Sequence, residues 1–132
     1  MREYKFRAKS TTDLKWYFGN LICLHNDNKE IDRARIMTPS LWVEDVIIRT
    51  VGQYIGICDR LGREIYEGDI VECRSGRICQ VVFFKSECAC CFDLLPVGGF
   101  DCEPPKESTL WKDLIVIGNI YDSPELLRLT KK

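Results

Sequence analysis

The sequence has a single histidine, His25. One imidazole cannot build a histidine-rich metal site. It also makes any Cys-His or Ser-His-Asp constellation depend on that one residue. Charge of one sign is lacking as well: 19 Lys and Arg stand against 20 Asp and Glu, for a formal net charge of -1. A strongly basic nucleic-acid coat is thereby excluded, and only a local patch is left open. No apolar run approaches the roughly 20 residues needed to cross a bilayer. Glu3, Lys5, Arg7 and Lys9 put a charge at every second position, so no signal-peptide core forms at the start. Residence in the cytosol without a membrane partner is the expectation. Phosphate loops are missing too: Gly52-Gln53-Tyr54-Ile55-Gly56 lacks the spacing and the following helix of a phosphate cradle.

The length of 132 residues suits one domain, or a domain with an appendage, and 45% hydrophobic residues exclude a disordered chain. Eight cysteines are conspicuous. In a reducing cytosol they read as free thiols in small apolar positions. Cys88, Cys90, Cys91 and Cys102 form the one cluster dense enough to consider for zinc. A tetrahedral site wants paired ligands two to four residues apart. Cys90 and Cys91 are adjacent, and neighbours in a strand point to opposite faces. No metal and no cofactor are expected.

Tyr4, Phe6 and Ala8 alternate with charged residues, as in a half-buried strand. Ser10-Thr11-Thr12-Asp13 is turn chemistry. Gly19-Asn20, between Trp16-Tyr17-Phe18 and Leu21-Ile22-Cys23-Leu24, suggests a hairpin turn or a bulge. Ser40 to Asp45 allows a capped helical turn, followed by a strand around Val46 to Arg49. Gln53 to Cys58 reads as a strand, and Asp59-Arg60-Leu61-Gly62 as a tight turn. Ile70 to Cys73, Ile78 to Phe84, Cys91 to Leu95 and Leu114 to Tyr121 are further strands. Alternation makes one of Phe83 and Phe84 a core residue. Gly98 to Thr109 is a loop, and Ser123-Pro124-Glu125 starts a short C-terminal helix.

Seven to nine short strands indicate an all-β fold. The expected organisation is an N-terminal β-rich segment over 1–50, then a small SH3-like barrel over 51–132 with the short helix at its end.

The chain resembles the YopX family of phage and prophage proteins. The matching pieces are Arg2 to Ala8, Thr50 to Gly56, the run Asp59-Arg60-Leu61-Gly62-Arg63-Glu64-Ile65-Tyr66-Glu67-Gly68-Asp69-Ile70-Val71, and Ile117 to Leu127. The stretch Arg74 to Thr109 is not diagnostic, and its cysteines lie outside that pattern. The resemblance implies a mostly β fold, a bacteriophage or prophage origin and self-association. It implies no established activity. The motif is accounted for by turn glycines, core aliphatics and two aspartates able to bond turn backbone, Asp59 and Asp69.

The functional expectation is an interaction or structural module without catalytic activity, in the bacterial host cytosol. Its partners would be further copies of itself, or a host or phage protein. Trp16-Tyr17-Phe18 and Trp42 supply the large aromatics that favour such contacts. The alternative is an accessory nucleic-acid-binding barrel. Arg60, Arg63, Arg74, Arg77, Tyr54 and Tyr66 supply cations and rings for it.

Overall fold

The computed structural model describes residues 3–85, 90–97 and 111–128. The chain is mainly β, in two antiparallel sheets, and divides into two units, Met1–Tyr54 and Ile55–Lys132.

In the first unit β1 (Phe6–Lys9) pairs with β2 (Trp16–His25), β2 with β3 (Ile31–Met37), and β3 with β4 (Val43–Val46). The start of β5 (Gly52–Cys58) lines the other side of β1. The turn after β1 is built by Ser10, whose buried hydroxyl accepts the Thr12 and Asp13 N–H groups and donates to Glu44 Oε1 at 2.8 Å. Ser10 also bridges Val46, and Ile47 N–H donates to the Lys9 carbonyl at 2.8 Å. The sheet therefore curls until β4 meets the chain just past β1. Its inner face buries Ala8, Ala34, Ile36 and Val46, with Phe6, Tyr17, Leu21 and Val51 packed against them.

Gly19-Asn20 is not a hairpin turn. β2 runs straight through it for ten residues and changes partner there: Gly19 pairs with Phe6 of β1, Asn20 with Met37 of β3. The glycine is needed because the Met37 carbonyl lies where a Cβ would stand. Ser40 to Asp45 is likewise not helical. β3 and β4 form a tight hairpin, and the strand expected over Val46 to Arg49 ends at Val46, followed by a 3-10 turn Ile48–Thr50.

In the second unit the rest of β5 pairs with β6 (Glu64–Tyr66). The other sheet runs in the order β10 (Ile115–Asn119), β7 (Asp69–Glu72), β8 (Ile78–Lys85), β9 (Cys90–Pro96). The expected closed SH3-like barrel is not formed by the described strands. Between β6 and β7 the chain turns at Gly68, with φ 93°, and the buried Asp69 carboxylate accepts the Tyr66 N–H at 2.7 Å. That turn sends β7 into a new sheet instead of prolonging the first. Ile55, Ile65, Val71, Cys73, Cys79, Val81 and Leu114 form the core. The C-terminal helix is also corrected: Pro124–Arg128 is a 3-10 turn, held by the Leu126 N–H on the Ser123 carbonyl. One i→i+3 turn of five residues is too short to set up α-helical bonding.

Ile70 and Val81 are fully buried. Replacing Ile70 by alanine should cost about 2–4 kcal/mol, and Val81 about 2, through lost apolar transfer and the cavity left behind. Urea midpoints measure both. An unchanged midpoint in either variant would remove that residue from the core.

Candidate interaction surface

The β3–β4 hairpin turns over four residues, with Thr38 N–H bonded to the Trp42 carbonyl at 2.8 Å and Leu41 N–H to the Thr38 carbonyl at 2.9 Å. Leu41 takes up the left-handed conformation, φ 69°. A leucine there is strained, since its Cβ crowds the following carbonyl. The same side chain is 75% exposed. Trp42 beside it is 61% exposed. Its indole N–H donates to Glu44 Oε2 at 2.7 Å, while Glu44 Oε1 accepts from Ser10. One carboxylate thus anchors the ring to the turn after β1. Tyr4, also exposed, and Leu41 face a hollow of about 330 Å³ floored by Gly19 and Met37. The result is a fixed apolar knuckle in which an exposed tryptophan adjoins the strained leucine; Leu14, also left-handed and exposed, has no such neighbour in its turn.

The residues singled out for nucleic acid are not gathered into such a surface. Tyr54 is 7% and Tyr66 2% exposed, so neither ring presents a stacking face. Tyr66 instead packs inside the second unit, its hydroxyl donating to Glu64 at 3.1 Å. Arg63 pairs with Asp59 at 3.3 Å and Arg74 with Asp113 at 3.2 Å. Arg60 is exposed and Arg77 half-buried. Phe83 and Phe84 are both exposed, against the expectation that one would be core. The reason is the length of the β8–β9 ladder. It continues to Lys85 and Cys90, whereas β7 pairs with β8 only from Ile78 to Gln80. Phe83 packs edge-on against Phe92, centroids 5.4 Å apart, and Phe92 in turn packs against the core.

Of the zinc candidates, Cys88 and Cys102 lie outside the described residues, as does the Cys90 side chain, and Cys91 is exposed on β9. Among the described residues no three of His, Cys, Asp and Glu converge on a point that could hold a metal. His25 is exposed at the end of β2. No helix among them is long and apolar enough to cross a membrane.

Asp59 is one of two described carboxylates that are buried, with Asp69. It sits at the head of the Asp59–Gly62 turn. Oδ1 accepts the Leu61 and Arg63 N–H groups at 2.9 and 2.8 Å, and Oδ2 accepts Val116 N–H of β10 at 3.0 Å. Burial pushes its pKa up, but these three N–H groups and the Arg63 charge outweigh that and hold it below the ordinary value of 3.8. Every described contact of this carboxylate tethers its own fold. Both motif aspartates, Asp59 and Asp69, bond turn backbone.

No curated protein matches the sequence. Among solved structures, the chain is similar to the crystal structure of protein EF1440 from Enterococcus faecalis. The TM-score is 0.54 and the identity 24%, over 96% of this chain and 99% of that one. At that identity the likeness speaks to the fold alone. The sequence pattern of the YopX protein family matches residues 5–128, nearly the whole chain, and by that match the chain belongs to the YopX family.

Proposed function

We propose that the chain is a non-catalytic interaction module of a bacteriophage or prophage, acting in the host cytosol, and that its first partner is a second copy of itself. One observation carries this reading: a strained leucine is at the same time the most exposed of the large apolar side chains among the described residues, next to an exposed tryptophan. In an isolated chain both features cost stability and return nothing. Such strain and exposed apolar area concentrate where a molecule is recognised. Tryptophans fixed at the centre of an apolar patch are the commonest anchors of protein contacts. The knuckle consists of Leu41, Trp42 and Tyr4, all uncharged. Two copies can place these side chains against each other about a two-fold axis, with Glu44 bonded to Trp42 and Glu3 paired with Lys5 at the rim.

Sedimentation equilibrium at micromolar concentration tests the reading. The wild-type chain should sediment at a multiple of 15.3 kDa. Trp42→Ser should return it to the single-chain mass while leaving the far-UV CD spectrum and urea midpoint near those of wild type. A wild-type chain at single-chain mass, or a variant that assembles unchanged, would sink it.

A further inference from the structure

The face of β1, β2 and β3 opposite Ala8, Ala34 and Ile36 carries a second surface, separate from the knuckle; it is open at Phe18 and Arg33 and closed at Arg7. On β2, Tyr17 and Leu21 point to the core, so Trp16, Phe18, Ile22 and Leu24 lie on the opposite face. The strand registers give each of these four a cation as its direct neighbour. Lys9 stands opposite Trp16 and Arg7 opposite Phe18 on β1, while Arg35 stands opposite Ile22 and Arg33 opposite Leu24 on β3. The Arg7 guanidinium lies 4.6 Å and the Lys9 ammonium 5.5 Å from the Trp16 ring centre, so that ring is already engaged by two positive charges. Phe18 is 42% exposed, and Arg33 is exposed. Among the described strand residues of this face Asp45 is the one carboxylate, held by Arg35 at 2.8 Å. Arg7 is itself buried, so the cations of this face that reach solvent are Lys9, Arg33 and Arg35, set against the one carboxylate Asp45 on a chain whose net charge is -1.

We propose that this face binds single-stranded nucleic acid, the bases resting on Phe18, Ile22 and Leu24 and the phosphates meeting Lys9, Arg33 and Arg35. A nucleotide has the matching pair of features, a flat base beside an anionic phosphate. Directly opposite residues on paired strands have Cβ atoms about 5 Å apart, so each apolar contact is placed next to a charge. Single strands offer unstacked bases to such rows, whereas a duplex hides them. An acidic peptide would satisfy the cations, but it does not set a flat ring beside each anionic group as a nucleotide does.

The test is anisotropy of a labelled oligo-thymidylate of about fifteen nucleotides, titrated with the full chain. Binding should weaken steeply between about 50 and about 200 mM salt, as phosphate contacts release counterions. Arg33→Glu should weaken it at least about tenfold and Phe18→Ala about tenfold, with CD spectra unchanged. Arg60→Glu in the second unit and Trp42→Ser at the knuckle should bind as wild type does. That keeps this result distinct from self-association. Failure of the wild-type chain to bind, an unaffected Arg33→Glu variant, or equal competition by a polyglutamate of the same charge would overturn the proposal, the last in favour of an acidic protein partner.

Discussion

Gly19→Ala should be among the most damaging single-methyl substitutions in this chain, lowering stability by about 3 kcal/mol or more. Two independent effects add. Gly19 has φ 154°, a conformation that L side chains rarely adopt. The new methyl group would also run into the Met37 carbonyl and crowd the Met37 carbon and Thr38 Cα, all backbone atoms. A side chain could rotate away, whereas a backbone carbonyl moves only with its strand. Accommodating the methyl group therefore means parting β2 from β3 where β2 changes partner. The urea midpoint and hydrogen exchange at Asn20 and Met37 read the effect. Gly62→Ala is the control: its φ is 84°, but nothing lies within 4 Å of the added atom. It should show the conformational cost alone, about 1 kcal/mol. Equal losses in the two variants would mean that close packing at Gly19 contributes nothing.

The same glycine shows where sequence reading stops. A glycine between apolar runs signals a turn or a close approach of backbone with equal force, since both exclude a Cβ. Only the pairing of Asn20 with Met37 decides between them, and that contact is distant in sequence. Local chemistry was legible. The Asp59–Gly62 turn was readable because donor, acceptor and positive φ fall within a few residues. The alternation in β1 was readable for the same reason. The knuckle was not, because a leucine in the left-handed region carries no compositional signal, and Ser40 with Glu44 imitates a helix start. The exposure of Phe83 and Phe84 is not legible in the sequence, because alternation says which face a residue takes and not how far the covering strand extends. The row of cations beside apolar residues on β2 depends on register between three strands. Arg33 and Arg35 therefore drew no attention as sequence, although Lys5, Arg7 and Lys9 show their alternation openly.

Asp59→Ala should destabilise the second unit by about 3–5 kcal/mol, since it leaves the N–H groups of Leu61, Arg63 and Val116 without their acceptor. Asp59→Asn should cost less, because the amide keeps one carbonyl oxygen for the turn. The bond from Val116 spans 57 positions, so the carboxylate ties the Asp59 turn to β10 as well as shaping the turn itself. The Arg60 N–H on the Leu114 carbonyl at 2.8 Å runs beside it. The acid limb of stability separates this role from simple packing. Folded Asp59 holds its proton less tightly than unfolded Asp59, whose value is near 3.8. Its contribution is therefore complete above that value and is lost as pH falls through the lowered folded value. Asp13 shifts in the same direction, through the Lys15 N–H and the Tyr17 hydroxyl, and stays in place as an internal reference. Wild-type stability should fall on acidification from about pH 5, with Asp59 adding at most about 1.4 kcal/mol per pH unit to the slope. In Asp59→Asn that part of the slope disappears and the remainder, including the share from Asp13, is kept. Parallel curves for the two proteins between about pH 5 and pH 2 would mean that Asp59 titrates alike folded and unfolded, and that its three N–H bonds do not select the carboxylate.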